Sequence, residues 1–132
     1  LTYEEPESMS KFEHDTTART KESLKWEPAY VSDNQFDSFG YFDMYLGGEY
    51  DTISLHTGPD PTRQFSENAS CIVEIVDPDT EEAIATSDTI TSNSHETTLT
   101  GSVKGLDYVR ITIKSEGRGW AETYVKDIIA KR

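Results

Sequence analysis

Tyr108-Val109-Arg110-Ile111-Thr112-Ile113-Lys114 alternates without a break. Val109, Ile111 and Ile113 are apolar and β-branched, and the residues between them are polar or amphipathic. A period of two is that of a strand with one face in a core and the other in water. A helix would set Ile111 on the side opposite Val109 and Ile113. Branching at Cβ also suits a pleated, half-buried surface. Turn-forming residues bracket the stretch: Gly105-Leu106-Asp107 before it and Glu116-Gly117-Arg118-Gly119 after it.

The same pattern recurs in both directions. Upstream, Phe42, Met44 and Leu46 alternate with Tyr41, Asp43 and Tyr45, and Gly47-Gly48 ends the run. Ile53 and Leu55 alternate with Thr52, Ser54 and His56. Ser70 to Val76 is apolar on both faces, which predicts a strand inside a sheet rather than at its edge. Asp77-Pro78-Asp79-Thr80 predicts a hairpin turn to a weaker strand over 82–87. Further strands are predicted over 23–28, 96–103 and 120–129. Val125 to Ala130 also fits a helix, as a minor alternative. About eight strands separated by turn signals predict an all-β chain, an antiparallel β-sandwich. Residues 1–20 read as a polar linker or arm, with a short helical turn near Ser8 to His14. Residues 21–132 read as the sandwich itself.

Composition limits the partners. The 132 residues hold 12 Lys and Arg against 25 Asp and Glu, a net charge of −13. Nucleic acid is a polyanion bound through clustered cations; the densest basic stretch, Arg110, Lys114 and Arg118, is interrupted. Nucleic acid is therefore not an expected partner. No apolar run reaches eighteen residues, so membrane insertion by a helix is not expected either. Cys71 is the only cysteine. Its apolar surroundings, Ile72, Val73, Ile75 and Val76, read as core rather than as the setting of a nucleophile. No leader pattern opens the chain at Leu1. It reads as a piece of a longer polypeptide, whose other domains are expected neighbours.

Three stretches carry a resemblance. They are Tyr45-Leu46-Gly47-Gly48-Glu49-Tyr50-Asp51-Thr52-Ile53-Ser54, then Gly101-Ser102-Val103-Lys104-Gly105-Leu106-Asp107-Tyr108-Val109-Arg110-Ile111, then Gly119-Trp120-Ala121-Glu122. In order and spacing, over about residues 39–129, they resemble the NPCBM family, related to carbohydrate-binding module family 51. The resemblance implies a jelly-roll-like β-sandwich, appended to bacterial glycoside hydrolases and other surface proteins. It also implies a glycan ligand and a structural calcium, sited near Asp33, Asp37, Asp43 or Asp127. Sugar-binding members of the family tend to carry Asp or His just before the closing Trp. Here Glu116-Gly117-Arg118-Gly119 occupies that loop, a departure that weakens the implied galactose specificity and the implied sugar binding with it.

Chemistry-bearing motifs are few. No Gly-x-Ser-x-Gly elbow, His-Glu-x-x-His or phosphate-cradling glycine loop occurs, so no enzyme is expected. His14, His56 and His95 fall in three separate segments. Asp77-Pro78-Asp79-Thr80-Glu81-Glu82 has oxygens enough for calcium but reads better as a solvated turn. If Phe42, Met44 and Leu46 face the core, Tyr41, Asp43 and Tyr45 share the outer face. That sets two rings about 13 Å apart with a carboxylate between them, a pattern suited to stacking on sugar C–H faces. The competing reading has these tyrosines covering a sheet edge or packing under the N-terminal arm. Trp120, with Glu116 and Arg118 beside it, is a second candidate platform, weighed against a Trp that seals the sandwich end; Trp26 reads as core. The expected role is a non-catalytic carbohydrate-binding module of a larger secreted or cell-surface bacterial protein. The alternative is a structural or protein-interaction sandwich with no sugar ligand.

Overall fold

Val109, Ile111 and Ile113 are fully buried, and the residues between them line the opposite face of their strand. A computed structural model of the chain describes residues 41–61, 64–117 and 120–132 in full. It also describes the backbone of residues 2–4, 12–14, 23–24, 26–29 and 38–40. The strands are β1 (Thr2–Glu4), β2 (Phe12–His14), β3 (Ser23–Leu24), β4 (Trp26–Ala29), β5 (Ser38–Tyr45) and β6 (Thr52–Pro59). They continue with β7 (Ala69–Val76), β8 (Ala83–Thr86), β9 (Thr97–Ser102), β10 (Tyr108–Gly117) and β11 (Thr123–Lys131).

These strands form two antiparallel sheets. The first has the order β1-β5-β10-β7-β8; the second has the order β2-β4-β11-β6-β9, with β3 also pairing β11. The all-β sandwich expected from the alternation is the fold observed. Among the described residues no helix occurs, and none is long and apolar enough to cross a membrane. β7 lies inside its sheet, as its two-sided apolar pattern predicted. Of the expected helical turn, Phe12–His14 is a strand and residues 8–11 lie outside the described residues. Two pieces of the expected arm, β1 and β2, pair with β5 and β4. Trp26 is in a strand, and its side chain lies outside the described part.

The core fills the space between the layers. From the first sheet come Phe42, Met44, Val73, Ile75 and the three β10 side chains; from the second come Ile53, Leu55, Val125, Ile128 and Ala130. Burying each large aliphatic side chain stabilises the fold by about 1.5–3 kcal/mol. Cys71, also in this core, shares a hydrogen bond of 2.8 Å with the Thr123 hydroxyl, which joins β7 to β11 across the interior. Burial pushes its thiol pKa up to about 12, which makes it a packing residue.

Glycine is required where chains turn or touch. Gly47 and Gly48 sit at φ of 65° and 71° as the chain leaves β5 for the other sheet. Their amides donate to the carbonyls of Asp107 and Leu106, and the positive φ excludes most other residues. A methyl group at Gly117, itself at φ 93°, would overlap the carbonyl oxygen of Asn68.

β11 departs from simple alternation. Thr123 and Val125 face inward, then Asp127 adopts φ 51° and the pairing with β6 shifts between Lys126 and Ile129. After this bulge Ile128 and Ala130 face inward instead. The resulting spacing of Val125 and Ile128 imitates a helical stripe, yet the segment is a strand.

Replacing a fully buried β10 side chain tests this architecture. Ile111→Ala is expected to destabilise the chain by about 3 kcal/mol. The measurement is the shift of the urea midpoint at unchanged slope.

Candidate functional site

Alternation places Tyr41, Asp43 and Tyr45 on the outer face of the first sheet, because Phe42, Met44 and Leu46 are buried. The register of β5 with β10 then supplies neighbours. Tyr108 lies opposite Tyr45, Arg110 opposite Asp43, and Thr112 opposite Tyr41. On the far side of β10, Glu74 of β7 lies opposite Thr112, and Thr86 of β8 opposite Glu74.

Each of these side chains has a defined contact. Tyr45 and Tyr108 meet edge to face, with centroids 5.2 Å apart and planes at 63°. They are the two large apolar side chains exposed among the described residues, at 45% and 36%. Arg110 donates two hydrogen bonds to Asp43, at 2.7 Å from Nε and 3.0 Å from an Nη. Its guanidinium also stacks over the Tyr41 ring at 4.3 Å. The bond to Asp43 raises the guanidinium pKa further above its ordinary value. Glu74 accepts from Thr86 at 3.1 Å and pairs with Lys114 at 2.7 Å. Beside this row opens a groove of about 280 Å³, lined by Arg110, Thr112, Lys114, Glu74, Val76 and Glu81.

Asp43, expected as an acceptor between two rings, accepts two hydrogen bonds from Arg110, whose guanidinium stacks on Tyr41. Glu116 lies on the same strand, opposite Ser70 and at the far end from Tyr108. Trp120 is not on this face. Its amide donates to Ser66 Oγ at 2.9 Å and its carbonyl accepts from Ser66 N at 2.7 Å, which ties it to the loop before β7. Arg118 lies outside the described residues. Tyr108, Glu74 and Lys114 were not expected in the site, nor was Arg110. Their outward parity was legible, but their pairing with β5 and β7 was not.

Among the described residues no three His, Cys, Asp or Glu side chains are grouped to hold a metal ion. Asp43 is held by Arg110, and Asp127 sits in the bulge. Asp77 accepts from the amide of its own turn at Asp79, 2.9 Å away, as a hairpin residue does. Asp33 and Asp37 lie outside the described residues.

A second concavity, of about 430 Å³, opens on the other layer. Asp60, Phe65, Ser92, His95, Glu96 and Tyr124 line it. Glu96 accepts from the Tyr124 hydroxyl at 2.8 Å and pairs with Lys126 at 3.0 Å. His56 lies 3.9 Å away and is itself held by Thr98 at 2.9 Å. The Tyr124 hydrogen bond, then Lys126, holds the Glu96 carboxyl below the ordinary carboxylate value.

No protein-family model matches the chain, and no curated protein matches it. Likeness comes from solved structures. One is a chain of Clostridium perfringens ZmpB that holds a catalytic domain with two family-51 carbohydrate-binding modules. It matches at a TM-score of 0.56 and 12% identity, over 94% of this chain and 15% of that one. The module TmCBM61, solved with β-1,4-galactotriose, matches at 0.50 and 12%, over 98% of this chain and 80% of that one. A module specific for non-crystalline cellulose, CBM28, matches at 0.52 and 14%, over 98% and 87%. The fold is thus that of carbohydrate-binding-module β-sandwiches.

Two substitutions test the geometry. The Thr112 hydroxyl is buried and makes no hydrogen bond among the described residues, so Thr112→Val is expected to raise stability by about 1 kcal/mol in urea titration. A depressed carboxyl stabilises the fold fully above the unfolded value, and that stabilisation fades as pH falls through the lower folded value. Glu96→Gln is therefore expected to lower the melting temperature at pH 6. The gap to the unsubstituted protein should close as pH drops below about 4.5.

Proposed function

We propose that the chain is a non-catalytic carbohydrate-binding module, which holds a neutral glycan on the outer face of the first sheet. The observation that carries this reading is the exposed Tyr45–Tyr108 pair beside a guanidinium clamped by Asp43 and stacked on Tyr41. Sugar rings present C–H faces to aromatic surfaces and hydroxyls to fixed polar groups, and this face offers both.

Charge narrows the ligand class. Asp43, Glu74 and Glu81 stand against Arg110 and Lys114 on and around the groove, and the chain as a whole carries −13. An acidic glycan would meet net repulsion. The carboxylates support binding over hydrolysis. A general acid needs surroundings that favour its neutral form, whereas Asp43 and Glu74 each sit against a cation.

The likeness to carbohydrate-binding-module folds supports the same reading, as does the motif resemblance to family 51. Such modules accompany secreted bacterial proteins, and we place this one outside the cell as part of a longer polypeptide. A protein-docking role would call for a broad apolar patch. Among the described residues the exposed large apolar side chains are one tyrosine pair.

Glycan-array screening followed by calorimetry on the best neutral glycan tests the proposal. Tyr45→Ala, Tyr108→Ala and Arg110→Met are each expected to weaken binding at least tenfold, about 1.4 kcal/mol. Absence of binding to every arrayed glycan, or unchanged affinity in all three variants, overturns it.

A further inference from the structure

We infer that the concavity on the second layer is a second sugar site, separate from the tyrosine face, so that one module holds two glycan ends at once. It shares no lining residue with the groove on the first sheet. Thr123 and Val125 are buried, so Tyr124 between them faces out of the second sheet. The two sites therefore lie on opposite layers of the sandwich.

The lining selects the ligand. Phe65 and Tyr124, both half-buried, supply apolar wall. Gly58 lets the tyrosine lie close: a methyl group there would stand 2.9 Å from its hydroxyl oxygen. That hydroxyl and Lys126 fix the Glu96 carboxylate from one side, and His56 stands on the other. Asp60, Ser92 and His95 add further acceptors and donors around the opening.

An anionic ligand is disfavoured by Asp60 and Glu96. A purely apolar one would strand the polar groups of the wall. A bare cation lacks a ligand set among the described residues. A neutral polyol with one apolar face satisfies the lining, and about 430 Å³ lies within the range of small-molecule sites. A carboxylate held in place before binding, as Glu96 is, loses little freedom when a hydroxyl arrives. Two such sites on one rigid module would raise avidity for a surface that presents many chain ends.

The test is an amide-resolved NMR titration of the whole chain with N-acetylglucosamine and, separately, β-1,4-galactotriose. Saturable shifts are expected at Ser92 to Glu96, Asp60 and Tyr124 with at least one of them. Glu96→Gln and Tyr124→Phe, both at accessible positions, are expected to weaken that response at least fivefold. Tyr45→Ala with Tyr108→Ala should leave it unchanged. Silence at these amides with both sugars overturns the second site, whatever the tyrosine face does. Loss of the rim response in the tyrosine-face variant overturns its independence. A rim response with a silent tyrosine face would support the second site and count against the function proposed for the first.

Discussion

One strand carries both the interior and the outer surface. β10 presents Val109, Ile111 and Ile113 to the core and Tyr108, Arg110, Thr112 and Lys114 to the other side. The pleat makes these two sets inseparable, because a slip of one residue in pairing would exchange them. Its neighbours β5 and β7 obey the same constraint. The position of every side chain on the tyrosine face therefore follows from apolar burial one residue away.

Polar contacts on that face are arranged in pairs across strands. Arg110 bridges Asp43 and Tyr41, while Lys114 and Thr86 converge on Glu74. Such half-exposed pairs contribute little to folding, about 0–1 kcal/mol each. They also restrict the rotamers of these long side chains.

The layer architecture was legible because hydrophobic alternation is a local signal. Phe42, Met44, Ile53, Leu55 and Ile111 all lie where parity put them. The outward placement of Tyr41, Asp43 and Tyr45 followed from the same rule. Partnership across strands is a long-range property. Nothing in the sequence around Asp43 announces that Arg110, 67 residues on, will take its oxygens. The bulge at Asp127 hid for a related reason. Inserting one residue reverses the parity of β11, and the combined pattern resembles a helix. The wall of the second concavity comes from loops and two strands far apart in the chain, so no motif marked it.

Cys71 lies in the dry interior, hydrogen-bonded to Thr123 and with its thiol held protonated. As the chain's sole cysteine it offers no cross-link within the fold, and its burial keeps it from forming one with a neighbour. Packing rather than covalent bracing thus holds the layers together. The same fold is compatible with reducing and oxidising surroundings alike, and its assembly needs no oxidant or disulfide-shuffling helper.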